Sequence, residues 1–420
     1  MNHVLFISYF WPPSGKASVH WPLKMAKYLP EFGWSPSVLT SEGDAFSPLD
    51  ESLITELDPR FKVLRTKSFD PFAIYRRFLG KDSTQPLVAS EASSKDRKDL
   101  RQRFSIWIRM NLFVPDARIG WYWPAVRHAR QALKAGPLDA IVSIGPPHTG
   151  HLIGKNLAKR FRVPHVPVFI DPWVDIVYYR DFKRNRLALA WDNAMERSVM
   201  NAAQAVVFVT KGMREQYVRK YPALSAKSSV LYWGYDEADF AGEELPPAEK
   251  GVIVHAGNLF DYQNPLPLWN AVKRRVENGD PLKMRFVGTV GPQVRQSIDR
   301  LGLSDRTEYL GFLPYRGMLQ ELSKASYLLA CVTEERHVPG KLFEYLRIGR
   351  PIIAFGQKNE EVRQILLDAR AGMMYRYDEA ADDFFDRAGE MRRDLTKVRQ
   401  YDRKNIAKEL GGILRSATGS

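Results

Sequence analysis

Pro339 to Phe355 reads P-G-K-L-F-E-Y-L-R-I-G-R-P-I-I-A-F, and its punctuation decides the fold. Pro339-Gly340 opens a helix, Leu342, Phe343, Leu346 and Ile348 give it an apolar side, and Gly349 suits its C-terminal cap. Pro351 follows at once, and Ile352-Ile353-Ala354-Phe355 is an apolar run of buried-strand type. Upstream, Tyr327 to Thr333 is a second such run. The order strand, loop, helix, strand predicts a doubly wound sheet. In such a sheet the loop and helix start lie at the carboxyl ends of the strands, where ligands bind. Backbone N–H groups there, close approach at Gly340 and the charge of Lys341 suit a phosphate. Glu344, one turn in, suits hydrogen bonds from paired hydroxyls such as those of a ribose. An ordinary βαβ unit with surface Lys and Glu is the alternative that this stretch alone leaves open.

The same order recurs at the N-terminus. Val4 to Tyr9 reads as a strand running into a loop with Gly15 and Lys16, then a helix ending near Gly33 and a strand from Ser35 to Thr40. Gly15 and Lys16 could receive a phosphate or a sugar, although the full Gly-rich fingerprint is absent. Further along, the strand 140–144 feeds Gly145-Pro146-Pro147-His148-Thr149-Gly150-His151, and the strand 166–170 ends at Asp171-Pro172-Trp173. These two edges deliver His148, His151 and Asp171 to one side of a sheet. A carboxylate directly after an apolar strand is well placed for chemistry. Asp before Pro is also a frequent turn former, and either histidine could simply pack at the helix start. Asp236 to Lys250 is rich in acid, Pro and small residues and reads as a linker. A second α/β half begins at Val252, with Gly257-Asn258 after its first strand and Gly288 after its second. A last helix, from about Arg399 to Arg415, could return to the first half.

Length and composition fit two globular domains: 420 residues, 45% apolar and 26% charged. A single cysteine, Cys331, excludes a disulfide framework and fits a reducing compartment. No signal peptide is expected, and no apolar stretch approaches the roughly 18–20 residues of a membrane span. The net charge of +14 implies anionic partners. Residues from about 69 to 112 depart from the α/β pattern: Lys95, Arg97, Lys98, Arg101, Arg103 and Arg109 accompany Phe104, Trp107 and Met110. Such a segment can lie in the interface of an anionic membrane, or be a solvated helix with one packed face. No recognition motif accompanies the charge, so specific nucleic-acid binding is not expected. No carboxylate pair recommends itself as a metal site.

In combination, several blocks resemble family 4 retaining glycosyltransferases of bacterial polysaccharide and glycan assembly. They are Ile7 to Gly15, Leu23 to Leu29 with Gly33-Trp34, Pro146 to Gly154, Asp171-Pro172-Trp173, Gly257-Asn258-Leu259 and Val338 to Leu346. They keep the family's order over nearly the whole chain. The resemblance implies the GT-B architecture, two Rossmann-like doubly wound domains facing a central cleft, with the C-terminal helix crossing back. The expected domains are 1–235, binding acceptor; a linker, 236–250; 251–398, binding a UDP-, GDP- or dTDP-sugar; and the returning helix, 399–420. The implied reaction is metal-independent transfer of a hexose-type sugar, with retention and no cofactor, to a glycan, lipid-linked or small-molecule acceptor. It would take place in the cytoplasm or on the inner face of the membrane.

Residue by residue, the resemblance implies that Glu344 holds the ribose, while Pro339, Gly340, Lys341 and Leu342 form the phosphate turn. Gly257, Asn258 and Gly288 would face the diphosphate, with Gly15 and Lys16 closing on donor and acceptor. Asp171, with His148, His151 and Trp173, would serve the acceptor side, and Asp171 and Lys341 the chemistry. Two departures stand out. Arg336 occupies the usual acidic position eight residues before Glu344 and is placed among the donor-binding residues, while Glu335 beside it is counted with the catalytic ones, as the substitute expected to touch the donor sugar. Phe260 to Asn264 replaces the Arg and Lys that often grip the diphosphate, a task expected to fall to Lys341 or Arg285. A nucleotide-sugar-binding or membrane-docked GT-B protein without transferase activity is the alternative.

Overall fold

The computed structural model describes residues 1–42, 49–56, 58, 61–69, 107–108, 111–134, 136–175, 184–241, 246–332 and 334–419. Two parallel sheets organise them. The first contains β1 (Asn2–Ile7), β2 (Trp34–Ser41), β3 (Lys62–Thr66), β4 (Ala140–Gly145), β5 (His165–Phe169), β6 (Val206–Phe208) and β7 (Ser228–Val230). Their order is β3-β2-β1-β4-β5-β6-β7. The second contains β8 (Val252–Ala256), β9 (Lys283–Val287), β10 (Thr307–Gly311), β11 (Tyr327–Cys331), β12 (Ile352–Phe355) and β13 (Gly372–Tyr375), in the order β10-β9-β8-β11-β12-β13. In each sheet the winding reverses beside the first strand, between β1 and β4 and between β8 and β11. That is where a doubly wound sheet opens a crevice at its carboxyl edge.

The apolar runs of the central strands β4, β5, β8, β11 and β12 are buried on both faces, as parallel strands under two helical layers must be. In the second sheet the alternation is explicit. Val254, Ala256, Leu328, Ala330, Ile352 and Ala354 face one core together with Leu342, Phe343 and Leu346 of the helix Lys341–Ile348. Ile253, Leu329, Cys331, Ile353 and Phe355 face the other, with Trp269 and Phe286. Gly349 ends the helix at φ 80°, a left-handed conformation that favours glycine.

The chain divides into two compact units. Unit 1 contains Met1–Val209, Gln216–Leu231 and Ala407–Ser420; unit 2 contains Thr210–Glu215 and Tyr232–Ile406. Tyr232 to Tyr235, read from sequence as the end of the first domain, group with unit 2. Backbone bonds explain this: Tyr235 N–H donates to Tyr401 O at 3.0 Å and Arg403 N–H to Tyr235 O at 2.8 Å. The last helix spans Arg403–Thr418 and starts later than expected, because Arg399–Tyr401 forms a 3-10 turn first. From Ala407 it belongs to unit 1, where Gly411 O accepts from Trp34 Nε1 at 3.3 Å and Phe32 O from Arg415 Nη1 at 3.1 Å. The 17-residue helix Arg186–Ala202 was not foreseen from sequence. Most of the basic segment falls in residues 70–106 and 109–110, outside the described residues.

Candidate functional site

At the carboxyl edge of unit 2, β8 delivers Gly257 and exposed Asn258, β9 delivers Gly288, and the loop after β11 delivers Pro339 and Gly340. Gly257 and Gly288 have φ of +98° and +116°, and neither has room for a side chain. A Cβ on Gly257 would meet Lys341 Nζ at 2.4 Å, and one on Gly288 would meet Gly257 O at 2.5 Å. The two glycines therefore let two loops and a lysine share one small volume. Lys341 Nζ donates to Ala256 O there. Burial of its ammonium lowers the Lys341 pKa to about 8, opposed by nearby Cys331 and Glu344. Leu342 N–H and Phe343 N–H already turn back to Pro339 O and Gly340 O, at 3.0 and 3.1 Å. An anion would thus be met by the amides of Gly340 and Lys341 and by the Lys341 ammonium, rather than by a whole free helix turn.

Glu344 lies buried one turn further on. Its Oε1 accepts from Tyr315 Oη at 3.0 Å and from Arg403 Nη2 at 3.2 Å. Its Oε2, equally buried, has no hydrogen-bond partner among the described residues. Burial raises the carboxyl pKa, while the Arg403 charge pulls it down. Arg403, which holds Glu344, lies 59 residues away in sequence and offered no signal there.

The loop before the helix is pinned by Asn359, which sequence reasoning also missed. The Asn359 amide donates to Glu334 O and His337 O, both at 2.7 Å, while its Oδ1 caps the next helix through Val362 N–H at 2.9 Å. Arg336 pairs with Glu334 at 2.9 Å, and its carbonyl accepts from Thr210 Oγ1 at 2.9 Å. Glu335, the expected substitute for a sugar-binding acid, is exposed on this turn; the acid engaged with Arg336 is its neighbour Glu334. Arg285 is engaged by carboxylates. Glu308, Glu249 and Glu321 hold its guanidinium at 2.6 to 3.1 Å, and those bonds raise its pKa.

Unit 1 presents its own edge. Lys16 lies over the Phe10 ring at 3.9 Å, beyond Gly15, and Arg118 over the Tyr9 ring at 5.3 Å. Burial and the neighbouring Arg118 charge lower the Lys16 pKa to about 8. Asp171 is half-buried, just past β5. The other expected acceptor residues, His148, His151 and Trp173, are buried. His148 stacks on Trp173 at 4.9 Å and 6°, and His151 packs against Phe169 at 4.4 Å. Ser143 Oγ bonds His151 Nδ1 at 2.8 Å and His165 Nε2 at 2.7 Å. A Cβ on Gly145 would meet His151 Nε2 at 2.5 Å, so these rings fill space that glycine leaves. Burial drives the His148 pKa down to about 3 and that of His151 well below its ordinary value, which keeps both neutral near pH 7. Trp173 is equally committed: its N–H donates to Tyr217 Oη at 2.8 Å, and its Nε1 donates to Asp192 Oδ1 at 2.6 Å. Asp192 and Glu196 of the unforeseen helix thus hold the turn that follows Asp171, Glu196 taking Val174 N–H at 3.3 Å.

Residues 23–239 match the family model Glycosyltransferase Family 4, and residues 250–394 match Glycosyl transferases group 1. The chain belongs to glycosyltransferase family 4. This glycosyltransferase shares its fold with solved structures. One is Anabaena Alr3699/HepE in complex with UDP and glucose, at 13% identity and TM-score 0.61, covering 99% of this chain and 100% of that one. A second is sucrose-phosphate synthase from Thermosynechococcus elongatus, at 14% and 0.58, covering 100% and 94%. A third is the lipopolysaccharide outer core galactosyltransferase WaaB, at 14% and 0.57, covering 99% of each. A search of curated protein sequences returned no match. The two Rossmann-like domains of the glycosyltransferase are therefore those of the GT-B architecture.

Proposed function

We propose that this glycosyltransferase moves a hexose-type sugar from a nucleoside diphosphate sugar to an acceptor hydroxyl, with retention of configuration and without a metal ion or cofactor. One observation carries the reading. At a single strand edge, Gly257 opens space for the Lys341 ammonium, the amides of Gly340 and Lys341 stand at the start of the helix, and Glu344 keeps one buried oxygen unpartnered among the described residues. A diphosphate would take the first two, and a ribose hydroxyl the last. The UDP-glucose complex of Anabaena HepE supports this class of donor. As the bond from the anomeric carbon to the diphosphate breaks, its electron pair goes to the leaving oxygen, where Lys341 and the amides stabilise the charge. The acceptor oxygen bonds that carbon, and Asp171 orients the acceptor or relays its proton.

The acceptor proposed is a glycan or lipid-linked glycan on the inner face of an anionic membrane, approached through the basic segment of the N-terminal unit. No helix among the described residues is long and apolar enough to cross a membrane.

Thermal stability against UDP, GDP, dTDP and their sugars, with and without a chelator, tests the donor. A ligand at about 100 times its Kd adds about 2.7 kcal/mol of stability. A shift with one base, insensitive to chelator, is expected. No shift with any would remove the donor assignment, and a shift without turnover on any acceptor would favour the binding protein without transferase activity.

A further inference from the structure

The first half of the helix Arg186–Ala202 is built inside out. The helix's two carboxylates, Asp192 and Glu196, point inward and are consumed by Arg184, Trp173, Lys220, Tyr217 and Tyr221. Its N-terminal half turns large apolar side chains outward, Leu187 84% exposed and Trp191, one turn on, 64%, while Val199 and Met200 near its end are buried. A surface helix ordinarily shows the reverse pattern. The outer face carries the cations Arg186 and Arg197 and no carboxylate. Arg186 opens the helix, where the positive end of the dipole disfavours it, so its place is not explained by helix stability.

A second apolar turn is fastened to the start of this helix. Asn185 N–H donates to Asn111 Oδ1 at 2.6 Å, and Asn111 Nδ2 donates to Trp107 O at 2.9 Å. Beside Asn111, Leu112 is 63% exposed, and Trp107 is 45% exposed. Four large exposed apolar side chains from two distant stretches therefore belong to two turns that Asn111 and Asn185 tie together, with the exposed cations Arg186 and Arg197 on the helix. We propose that this ridge of Trp107, Leu112, Leu187 and Trp191 seats the N-terminal unit on an anionic lipid bilayer, with Arg186 and Arg197 at the headgroups.

The chemistry favours lipid over a protein partner. Tryptophan beside arginine suits the bilayer interface, where an apolar body and a charged head are both accommodated. The chain's net charge of +14 adds long-range attraction to anionic headgroups. The inference deepens the membrane reading above but rests on other residues, and it stands whether or not the donor assignment does.

Flotation of the full chain with vesicles of equal parts phosphatidylglycerol and phosphatidylcholine tests it, beside vesicles of phosphatidylcholine alone. The wild type should float with the first and much less with the second. Leu187→Gln with Trp191→Gln should lower the bound fraction at limiting lipid about tenfold or more, since each side chain loses its apolar burial in the interface. The melting temperature and nucleotide-induced shift of that variant should match the wild type, because neither residue packs inside. Equal flotation of variant and wild type would overturn the proposal, as would no flotation of the wild type. A wild-type dimer that the double variant converts to monomer, without vesicle binding, would assign the ridge to a second copy of the chain instead. Transfer to a soluble acceptor should be unchanged throughout; its loss would point to a damaged site rather than a lost membrane contact.

Discussion

Glu344→Ala is the obvious test of the ribose assignment, and the structure says that it will mislead if activity alone is read. Glu344 Oε1 is the carboxylate oxygen that meets Arg403 Nη2 at 3.2 Å, and both side chains are buried. Removing one member of a buried ion pair strands the other, at a cost of about 3–5 kcal/mol. For a unit of this size that lowers the melting temperature on the order of 10 °C. Arg403→Met should cost as much, because it leaves Glu344 buried with only the Tyr315 hydroxyl. The double variant strands no charge, so its loss should resemble that of either single variant, with a coupling of about 2 kcal/mol or more. Urea unfolding of the four proteins, followed by fluorescence, measures this directly. Additivity within about 0.5 kcal/mol would refute the pairing. Glu344→Gln is the cleaner functional probe. It keeps the shape and an acceptor for Tyr315, but weakens a charge-assisted ribose bond, and should reduce donor affinity about tenfold or more. Unchanged affinity in the Gln variant would remove Glu344 from the donor site.

Two further predictions concern the phosphate turn. Because the Lys341 pKa is about 8, depressed from an ordinary lysine, nucleoside diphosphate affinity should fall as pH rises through about 8. The folded-state pKa lies below the unfolded one, so unliganded stability should rise over the same window toward the ordinary lysine pKa. Calorimetric binding and urea titrations at about pH 7 and about pH 9 check the opposed signs, and Lys341→Met should flatten both. Gly257→Ala should destabilise unit 2 by about 2–4 kcal/mol, from a left-handed φ and from displacing the Lys341 ammonium, and should weaken nucleotide binding in the same protein. Wild-type stability and affinity in that variant would show that the turn has slack which the geometry denies.

The fold was legible because parallel strands buried on both faces leave continuous apolar runs, and the 339–355 stretch adds helix punctuation of its own. Chemistry at the strand ends was legible in part: Gly257, Gly288, Gly340, Lys341 and Glu344 gather within unit 2. What sequence could not show is which polar residues are spent on holding the others. Arg403 and Asn359 serve Glu344 and the 334–337 loop from far along the chain, and a single Arg or Asn carries no periodic signal. The same blindness runs the other way. His148, His151 and Trp173 look like ligand-contacting residues because they stand near a strand end, yet here they are buried, with His148 stacked on Trp173 and His151 tilted against both. The helix Arg186–Ala202 escaped because the pattern of its first half is inverted, carboxylates inward and Leu and Trp outward, so that periodicity read by hydrophobicity points there to the wrong face.

The departures around Gly257 bear on how the leaving group is stabilised. Gln263, in the loop where a cation often grips the diphosphate, turns inward: its Nε2 donates to Cys331 O at 3.1 Å and its Oε1 accepts from Phe260 N–H at 3.1 Å. Arg285 is held by three carboxylates. The positive charge at the unit 2 turn then rests on Lys341, whose ammonium is already partly deprotonated near pH 8. An arriving diphosphate would raise that pKa, because an opposite charge within a few ångström favours the charged form. Binding below pH 8 would therefore carry little proton uptake, and binding above it would take up close to one proton per nucleotide. Calorimetry in buffers of differing ionisation enthalpy reads this directly. A pH-independent proton count would mean that the backbone amides, rather than Lys341, hold the phosphate.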